Sequence, residues 1–475
     1  MTVLLAAPSI CVTAPAGTGK THLIVDSVAA YGGAKPLLIL THTNAGVSVL
    51  RRRLAEAGLK PMRCSVGTID GFALLLVRKF PIRAAYCVDQ NVIDYPRVRS
   101  AALALLTGQH IDSLLVANYG RVIVDEYQDC DVVQHSIVSR LTELLPVAAL
   151  GDPLQQIFTF NEAMPTWEDV QKTFQTPHEL TEPQRWLRVG SGPLGYWLLE
   201  LREEIRQKKN VDLSTAPKQF LTHIKNEGKD ATYSNPMASI SGTTGRTLVV
   251  GDATSELRRW ELARGFPGAL VVETVELKCL VRLAEDIDAA IAGRAPAASR
   301  IQEIVLGFAS SVMTKVSATK LLKRLASIQN GKNKTPTAAH EQAGIDLAAS
   351  LTYRSVLAFL ECLEAQKGVR LFRPSIFYAA LKVLRMAATG QVSNLSVAVT
   401  EYREHVRHFI TSVPTIAVGS TLLLKGLEAD NVFINDADSM SANNLYVALT
   451  RGSRKIIVRS KSLTITPTIS KPKHV

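Results

Sequence analysis

A short glycine-rich segment near the start of the chain carries residue types that bind phosphate groups. Residues 14–21 read APAGTGKT and follow an apolar run at residues 9–12. A strand, a glycine-rich turn and a helix in this order present backbone N–H groups and a helix N-terminus to an anion. Lys20 is placed to reach the β and γ phosphates of a nucleotide, and the Thr21 hydroxyl to ligate magnesium. Ala14 is a mild departure, since the pattern has glycine there.

Two carboxylates follow a second apolar run. Residues 122–124 are all β-branched, and Asp125 and Glu126 come directly after them. A strand this apolar is buried, and an unpaired acid at its tip would be costly without a metal or a cation. Asp125 is therefore placed to hold magnesium, and Glu126 to polarise an attacking water. After a further apolar run, the segment GDPLQQIF at residues 151–158 offers a glutamine that could sense a γ phosphate.

The elements that would position these residues follow an alternating pattern. Apolar strands alternate with helical segments, which predicts an α/β protein with parallel sheets. Small polar residues end the predicted strands at residues 41–44 and 67–72. In open α/β sheets the carboxyl ends of the strands are where ligands bind. A second α/β unit without a phosphate loop begins near residue 178, and residues 280–412 have a helical pattern that interrupts it.

Length and composition restrict the class of protein. A chain of 475 residues is too long for one hydrophobic core, so about two to four domains are expected. No run of about 18 apolar residues occurs, so no membrane-spanning helix is predicted, and the start of the chain lacks a signal-peptide pattern. Six cysteines without a Cys-x-x-Cys pair argue against a zinc site or a disulfide framework. We therefore expect a cytoplasmic protein without a membrane partner.

The charge balance favours a polyanionic partner. The net charge is +12 and the sequence pI is about 9.4, which suits nucleic acid. Residues 315–334 carry six basic residues and no acid. Such a run is more often a solvated helix face than a binding site, and contact with DNA or with a partner is the alternative.

Taken together, these segments resemble the UvrD/Rep-like superfamily 1 DNA helicases over almost the whole chain. DEYQD and YVALTR are the most specific of the motifs, and the number of motifs in the right order makes coincidence negligible. The segments that carry the resemblance are APAGTGKT (14–21), LTHTN (40–44), GTIDGF (67–72), VDEYQD (124–129), GDPLQQIF (151–158), LTEPQRW (180–186), KGLEADNVF (425–433) and LYVALTR (445–451).

The resemblance implies two RecA-like domains with parallel sheets, each with an inserted, mainly helical subdomain. ATP and magnesium would bind in the cleft between the domains, and single-stranded DNA would cross the top. The predicted boundaries are 1–84 and 118–177 for domain 1A, 85–117 for insertion 1B, 178–279 and 413–463 for domain 2A, 280–412 for insertion 2B, and 464–475 for a basic tail.

The resemblance also assigns roles to single residues. Glu126 is the expected catalytic base, Gln155 the sensor of the γ phosphate, and Arg185 and Arg451 the two cations that the second domain presents to that phosphate. The residues expected to bind nucleotide are Gly17, Thr18, Gly19, Lys20, Thr21 and Glu428, with Thr21 and Asp125 on the metal and Glu428 on the ribose. The residues expected to bind DNA are Thr41, His42, Asn44, Asp70, Phe72, Phe160 and Lys425. Phe160 would stack on a base, and a buried core position is the alternative for this side chain.

Several positions depart from the family pattern. The segment before the phosphate loop is too short for the family's adenine-reading motif, so the preference for ATP over other nucleotides is open. Gln184 stands where the family has an aromatic that stacks on the base, and Trp186 is the alternative for this contact. Phe160-Asn161 and Leu422 replace a Trp-Arg pair and a histidine on the side of the protein that couples to DNA.

Three functions follow as hypotheses. The first is a DNA-stimulated ATPase that moves 3′ to 5′ on a strand or unwinds DNA, either as a repair helicase or, from the compact insertions, as a protein similar to the UvrD-like subunit of Gabija anti-phage systems. Those subunits work beside an OLD-family nuclease with a TOPRIM domain. The second is an ATPase that senses DNA ends and regulates a partner nuclease without processive unwinding. A small-molecule kinase, the third, has no use for Arg185 and Arg451 on a second domain.

Overall fold

The fold combines two parallel sheets with a separate group of helices. The computed structural model describes residues 2–88, 93–157, 164–226, 237, 240, 242–272, 278–293, 300–399, 402 and 415–468. The chain divides into a first unit, residues 1–269 with 412–475, and a second unit, residues 270–411. The first unit contains the residues that the sequence predicts to bind nucleotide and DNA, with Phe160 and Asn161 outside the described residues.

The first sheet carries the phosphate loop and the acidic pair. Its strands are Ser9–Thr13 (β1), Leu37–Thr41 (β2), Cys64–Thr68 (β3), Arg121–Val124 (β4), Val147–Gly151 (β5) and Pro177–Glu179 (β6). Their order is β3-β2-β4-β5-β1-β6, and the pairs run parallel. Strand β5 therefore lies between β1, which leads into the phosphate loop, and β4, which leads into the acids. The carboxyl ends of all three strands meet at one edge.

Helices cover both faces of this sheet. They are Lys20–Ala30 (α1), Asn44–Glu56 (α2), Ile69–Lys79 (α3), Tyr95–Thr107 (α4), Asp112–Asn118 (α5), Val132–Thr142 (α6) and Trp167–Thr173 (α7). Because strand side chains alternate, Ile10 and Ile39 pack with α1 and α2, whereas Cys11 and Leu40 pack with α3, α4 and α6. This arrangement explains why the strands are continuously apolar. Helices α4 and α5 share the core of α3 and α6.

The second sheet follows the same design without a phosphate loop. Its strands are Leu221–Lys225 (β8), Thr247–Val250 (β9), Leu270–Val271 (β10), Ile416–Gly419 (β11), Ala429–Ile434 (β12) and Gly452–Ser460 (β13), and a small antiparallel pair is formed by Val211–Asp212 (β7) and Thr464–Ile465 (β14). The order is β10-β11-β9-β12-β13-β8. Helices beside it span Gln184–Arg188 (α8), Gly192–Arg206 (α9), Glu256–Arg264 and Ala442–Leu449. The prediction of two α/β cores with parallel sheets is confirmed.

The second unit is helical, as the sequence pattern indicates. Its helices are Lys278–Ile291, Ile301–Val312, Ala318–Gln329, Ala339–Ala349, Tyr353–Glu364 and Pro374–Ala388, and they enclose one apolar core. The break at residues 330–338 contains the predicted Gly/Pro interruption. The basic residues of the run 315–334 lie on and beside the helix Ala318–Gln329. Helix start signals support these elements: Thr352 accepts a hydrogen bond from Ser355 N at 3.1 Å.

Short 3₁₀ helices complete the described structure, at Val3–Leu5, Pro61–Arg63, Tyr127–Asp129, Pro153–Gln155 and Leu213–Thr215. Among the described helices none alone has the length and apolar composition to cross a membrane, although the bent pair formed by α4 and α5 does so jointly. The predicted domain boundaries stay predictions. The boundary drawn at residue 177 falls inside β6, which pairs with β1.

Candidate active site

The phosphate loop has the backbone that its glycines predict. Gly17 and Gly19 have φ angles of 74° and 92°, in the left-handed region that side chains disfavour. Gly19 immediately precedes α1, so that the first N–H groups of the helix face the loop. The Thr18 hydroxyl donates to Pro15 O at 2.8 Å and closes the turn. A cradle of this shape binds phosphate oxygens.

Lys20 lies between the two acids of β4. Its Nζ is 3.1 Å from Asp125 Oδ1 and 2.6 Å from Glu126 Oε1. Burial lowers the pKa of Lys20, but the two carboxylates outweigh it and hold the pKa above its usual range. The ammonium group is therefore fully charged, as a phosphate ligand must be.

The acidic pair has two distinct environments. Burial raises the pKa of Asp125, although Lys20 opposes this effect. The pKa of Glu126 is lowered, because Lys20 and Lys425 more than offset its burial. Glu126 has a left-handed φ of 56° and accepts a hydrogen bond from Gln128 Nε2 at 2.5 Å. A turn after the strand thus directs the two carboxyl groups to different tasks.

The donor set at this edge fits magnesium. Thr21 is the second residue of α1, next to the lysine that contacts Asp125, so a hydroxyl and a carboxylate oxygen lie at the same end of the sheet. Hard oxygen ligands and phosphate oxygens are what Mg²⁺ prefers. No group of three or more His, Cys, Asp or Glu residues that could hold a metal occurs in the described part of the chain. A magnesium shared with nucleotide phosphates does not require one.

The predicted sensor glutamine connects the two sheets. Gln155 is 6% exposed, and its Nε2 donates to Asp152 Oδ2 at 3.0 Å. Its backbone oxygen accepts a hydrogen bond from Lys425 Nζ at 2.7 Å, and its Oε1 lies 3.5 Å from Arg451 Nη2. Lys425 and Arg451 both come from the second sheet, so the site is closed by residues distant in sequence.

The two predicted arginines lie at this same edge. Arg185 N donates to Gly17 O at 2.9 Å, and Arg185 Nη1 donates to Thr450 O at 2.6 Å. Burial and the neighbouring Arg185 lower the pKa of Arg451 to about 10, while Glu428 opposes this change. The pKa of Glu428 is lowered, because Arg185 and Arg451 outweigh its burial. The cations of the second sheet thus remain charged beside the phosphate loop.

The packing around Gly17 corrects one expectation about base recognition. Trp186 is 1% exposed, and its ring lies so close to Gly17 that a Cβ at this glycine would overlap it. Its Nε1 donates to Gly452 O at 3.0 Å. The prediction that Trp186 substitutes as a base-stacking aromatic is wrong for this conformation, because both ring faces are covered. Its signal in the sequence was the glycine it packs against.

The predicted DNA-contact residues vary in accessibility. Thr41 is fully buried at the end of β2, and Phe72 is 5% exposed in the core of α3. Asp70 Oδ1 accepts a hydrogen bond from Gln134 Nε2 at 2.8 Å. Burial lowers the pKa of His42, and Asn44 is half-buried as the first residue of α2. Phe160 lies outside the described residues. These roles stay predictions.

Lys425, also predicted to bind DNA, is held by an acid. Its Nζ is 2.6 Å from Asp129 Oδ2, and the exposed fractions of the two side chains are 10% and 2%. Burial raises the pKa of Asp129 to about 7, although Lys425 lowers it. The last acid of DEYQD is therefore tied to the second sheet, a link that the motif alone does not reveal.

Comparisons with known proteins bear on the first third of the chain. Residues 2–161 match the family model of an AAA domain. An ATP-dependent helicase/nuclease subunit of Levilactobacillus brevis is 33% identical over 141 residues, which are 27% of this chain and 10% of that protein. Its counterpart in Leuconostoc mesenteroides subsp. mesenteroides, which carries the same name, is 26% identical over 78 residues, 16% of this chain and 6% of that protein. The chain thus spans a tenth or less of these curated relatives.

A solved structure is also similar, at low identity. The structure of an arterivirus nonstructural protein 10 (helicase) with DNA has a TM-score of 0.35 and 9% identity, covering 96% of this chain and 62% of that one. The AAA-domain match and the two helicase/nuclease proteins support the resemblance to superfamily 1 helicases at the level of the superfamily.

Proposed function

We propose that the chain is an ATP-dependent DNA helicase or translocase. The observation that carries this proposal is the meeting of both sheets at one phosphate loop: Arg185 hydrogen-bonds Gly17, and Arg451 approaches Gln155. An enzyme that only transfers a phosphoryl group does not need a second sheet for its cations. An enzyme that converts hydrolysis into movement does, because nucleotide then controls how the two domains meet.

The residues divide the work of hydrolysis. The loop amides and Lys20 hold the phosphates, and Glu428 lies where the ribose is expected. Magnesium, held by Thr21 and Asp125, would neutralise phosphate charge. Glu126 accepts the proton of the attacking water, and Gln155 orients the γ phosphate. Arg185 and Arg451 stabilise the charge that develops in the transition state.

DNA is the proposed polymer substrate. The net charge of +12 favours a polyanion, and the carboxyl ends of β2 and β3 carry the predicted contacts Thr41, Asn44 and Asp70. Movement from 3′ to 5′ is proposed from the family resemblance. A role in DNA repair and a role in anti-phage defence beside an OLD-family nuclease both remain proposals, and the gene next to this one would discriminate between them.

A second function is favoured by the state of the DNA-contact residues. Phe72 is buried, Lys425 is paired with Asp129, and Leu422 is 43% exposed where the family has histidine. A surface that grips a strand weakly suits an ATPase that senses DNA ends and signals to a nuclease.

A forked DNA substrate with a fluorescent strand tests both functions. The parental protein should hydrolyse ATP faster with single-stranded DNA present, and Glu126→Gln serves as the control without hydrolysis. Strand displacement that requires ATP supports the motor. DNA-stimulated hydrolysis without displacement supports the sensor, and hydrolysis that ignores DNA would refute both.

A further inference from the structure

A buried arginine outside the recognised motifs lies next to the predicted sensor. Arg202, on α9, is 2% exposed. Its Nη2 is 3.4 Å from Asp152 Oδ1, and its Nη1 is 2.9 Å from both Glu179 and Glu203. Asp152 and Glu179 belong to the first sheet, whereas α9 packs on the helix Ala442–Leu449 beside the second. The guanidinium therefore bridges the two sides of the site.

Asp152 passes this contact on to Gln155. The carboxyl group is fully buried, and its two oxygens divide their partners. Oδ1 accepts from Leu154 N at 3.2 Å and faces Arg202, and Oδ2 accepts from Gln155 Nε2 at 3.0 Å. Tyr446 adds a hydroxyl hydrogen bond to the same carboxyl group.

The orientation of the Gln155 amide depends on this carboxylate. While Asp152 accepts from Nε2, the opposite end of the amide, Oε1, points at Arg451 at 3.5 Å. A buried carboxylate is stable as an acceptor only if a cation or several donors compensate its charge. Without Arg202, the carboxylate would lose its only cation among these contacts. The amide would then lose its fixed direction.

We infer that Arg202 is a positioning residue for ATP hydrolysis, which acts by fixing Asp152 and, through it, the side chain of Gln155. This inference rests on the proposed function, since Gln155 is assigned to the γ phosphate there. Arg202 touches no phosphate-loop residue among its described partners, so it should govern turnover and leave nucleotide affinity unchanged.

Steady-state ATP hydrolysis with single-stranded DNA tests the inference. In Arg202→Met we expect kcat to fall about 10- to 100-fold, because a displaced catalytic group loses rate steeply, with KM for ATP changed by less than about twofold. Arg206→Met is the matched control: it lies one turn further along α9, pairs with Glu203 at 3.1 Å and is half exposed. It should keep parental kcat.

A double substitution separates positioning from general stability. Gln155→Ala alone should lower kcat, and adding Arg202→Met should lower it no further, because both changes remove one orientation of one amide. Multiplied losses, or a folded Arg202→Met with parental kcat, would overturn the inference. If Arg202→Met does not fold, Arg202→Lys keeps a charge beside the acids, and the same comparison with Gln155→Ala is made on it. A parental protein without ATP hydrolysis would instead refute the proposed function.

Discussion

Replacing Lys425 with methionine should make the stability of the protein depend more strongly on pH. Lys425 lies 2.6 Å from Asp129, a carboxyl group that is 2% exposed. Removal of one partner of a buried ion pair costs about 3–5 kcal/mol when the other charge remains. Asp129 can avoid part of this cost by taking up a proton, and the extent to which it does so depends on pH.

The magnitude follows from the pKa of Asp129. Burial raises this pKa from 3.8 to about 7, and Lys425 is the group that keeps it from rising further. The stability that a raised carboxyl pKa confers is complete below the unfolded pKa and is lost as pH rises through the folded one. The parental loss is therefore complete slightly above pH 7. In Lys425→Met the folded pKa lies higher, so stability continues to fall by about 1.4 kcal/mol per pH unit, or about 2 kcal/mol between about pH 7 and pH 8.5.

Urea unfolding at several pH values measures this difference. All four tryptophans lie between residues 167 and 260, in the first unit, so their fluorescence reports on the part of the chain that contains the pair. The gap between parental protein and Lys425→Met should widen as pH rises. In the control Lys425→Met with Asp129→Asn, no carboxyl group titrates, and the gap should stay constant. A gap of equal size at both ends of the range for Lys425→Met would refute the reasoning.

Four further outcomes are expected. Lys20→Ala should abolish ATP binding or turnover, because the loop loses its cation; nucleotide affinity measured by fluorescence titration checks it. Glu126→Gln should bind ATP and lose hydrolysis, and turnover at the parental rate would make the base assignment wrong. Gly17→Ala should weaken nucleotide binding, because a Cβ there overlaps Trp186 and a φ of 74° costs about 1–2 kcal/mol for a side chain; an unchanged affinity would count against this packing argument. DNA affinity should fall as salt rises, since phosphate contacts release counterions, and salt-independent binding would indicate another mode.

Local patterns were sufficient to predict the elements and the chemistry. The apolar run before Asp125 gave a buried strand that ends at Val124, and the glycines of the phosphate loop gave a left-handed turn before α1. Both are short-range features, because strand burial and turn geometry depend on neighbouring residues. The same holds for the helical pattern of residues 280–412, which appears as the helices of the second unit.

Interactions between distant residues were not predictable in this way. Trp186 looked like a base-stacking aromatic because the sequence does not show that Gly17 lies beneath its ring. Lys425 looked like a DNA contact because the sequence does not show Asp129 beside it. Each of these pairs is separated by well over a hundred residues, and their meeting depends on how the sheets pack.

The sequence by itself determined which groups can bind phosphate, hold a metal and activate water, since residue type and strand or turn context fix those capacities. Only the tertiary structure decided which charges compensate one another at the site. Arg202 illustrates the reason: its effect on Gln155 passes through Asp152, and a chain of buried contacts across two sheets exists only after the core has formed.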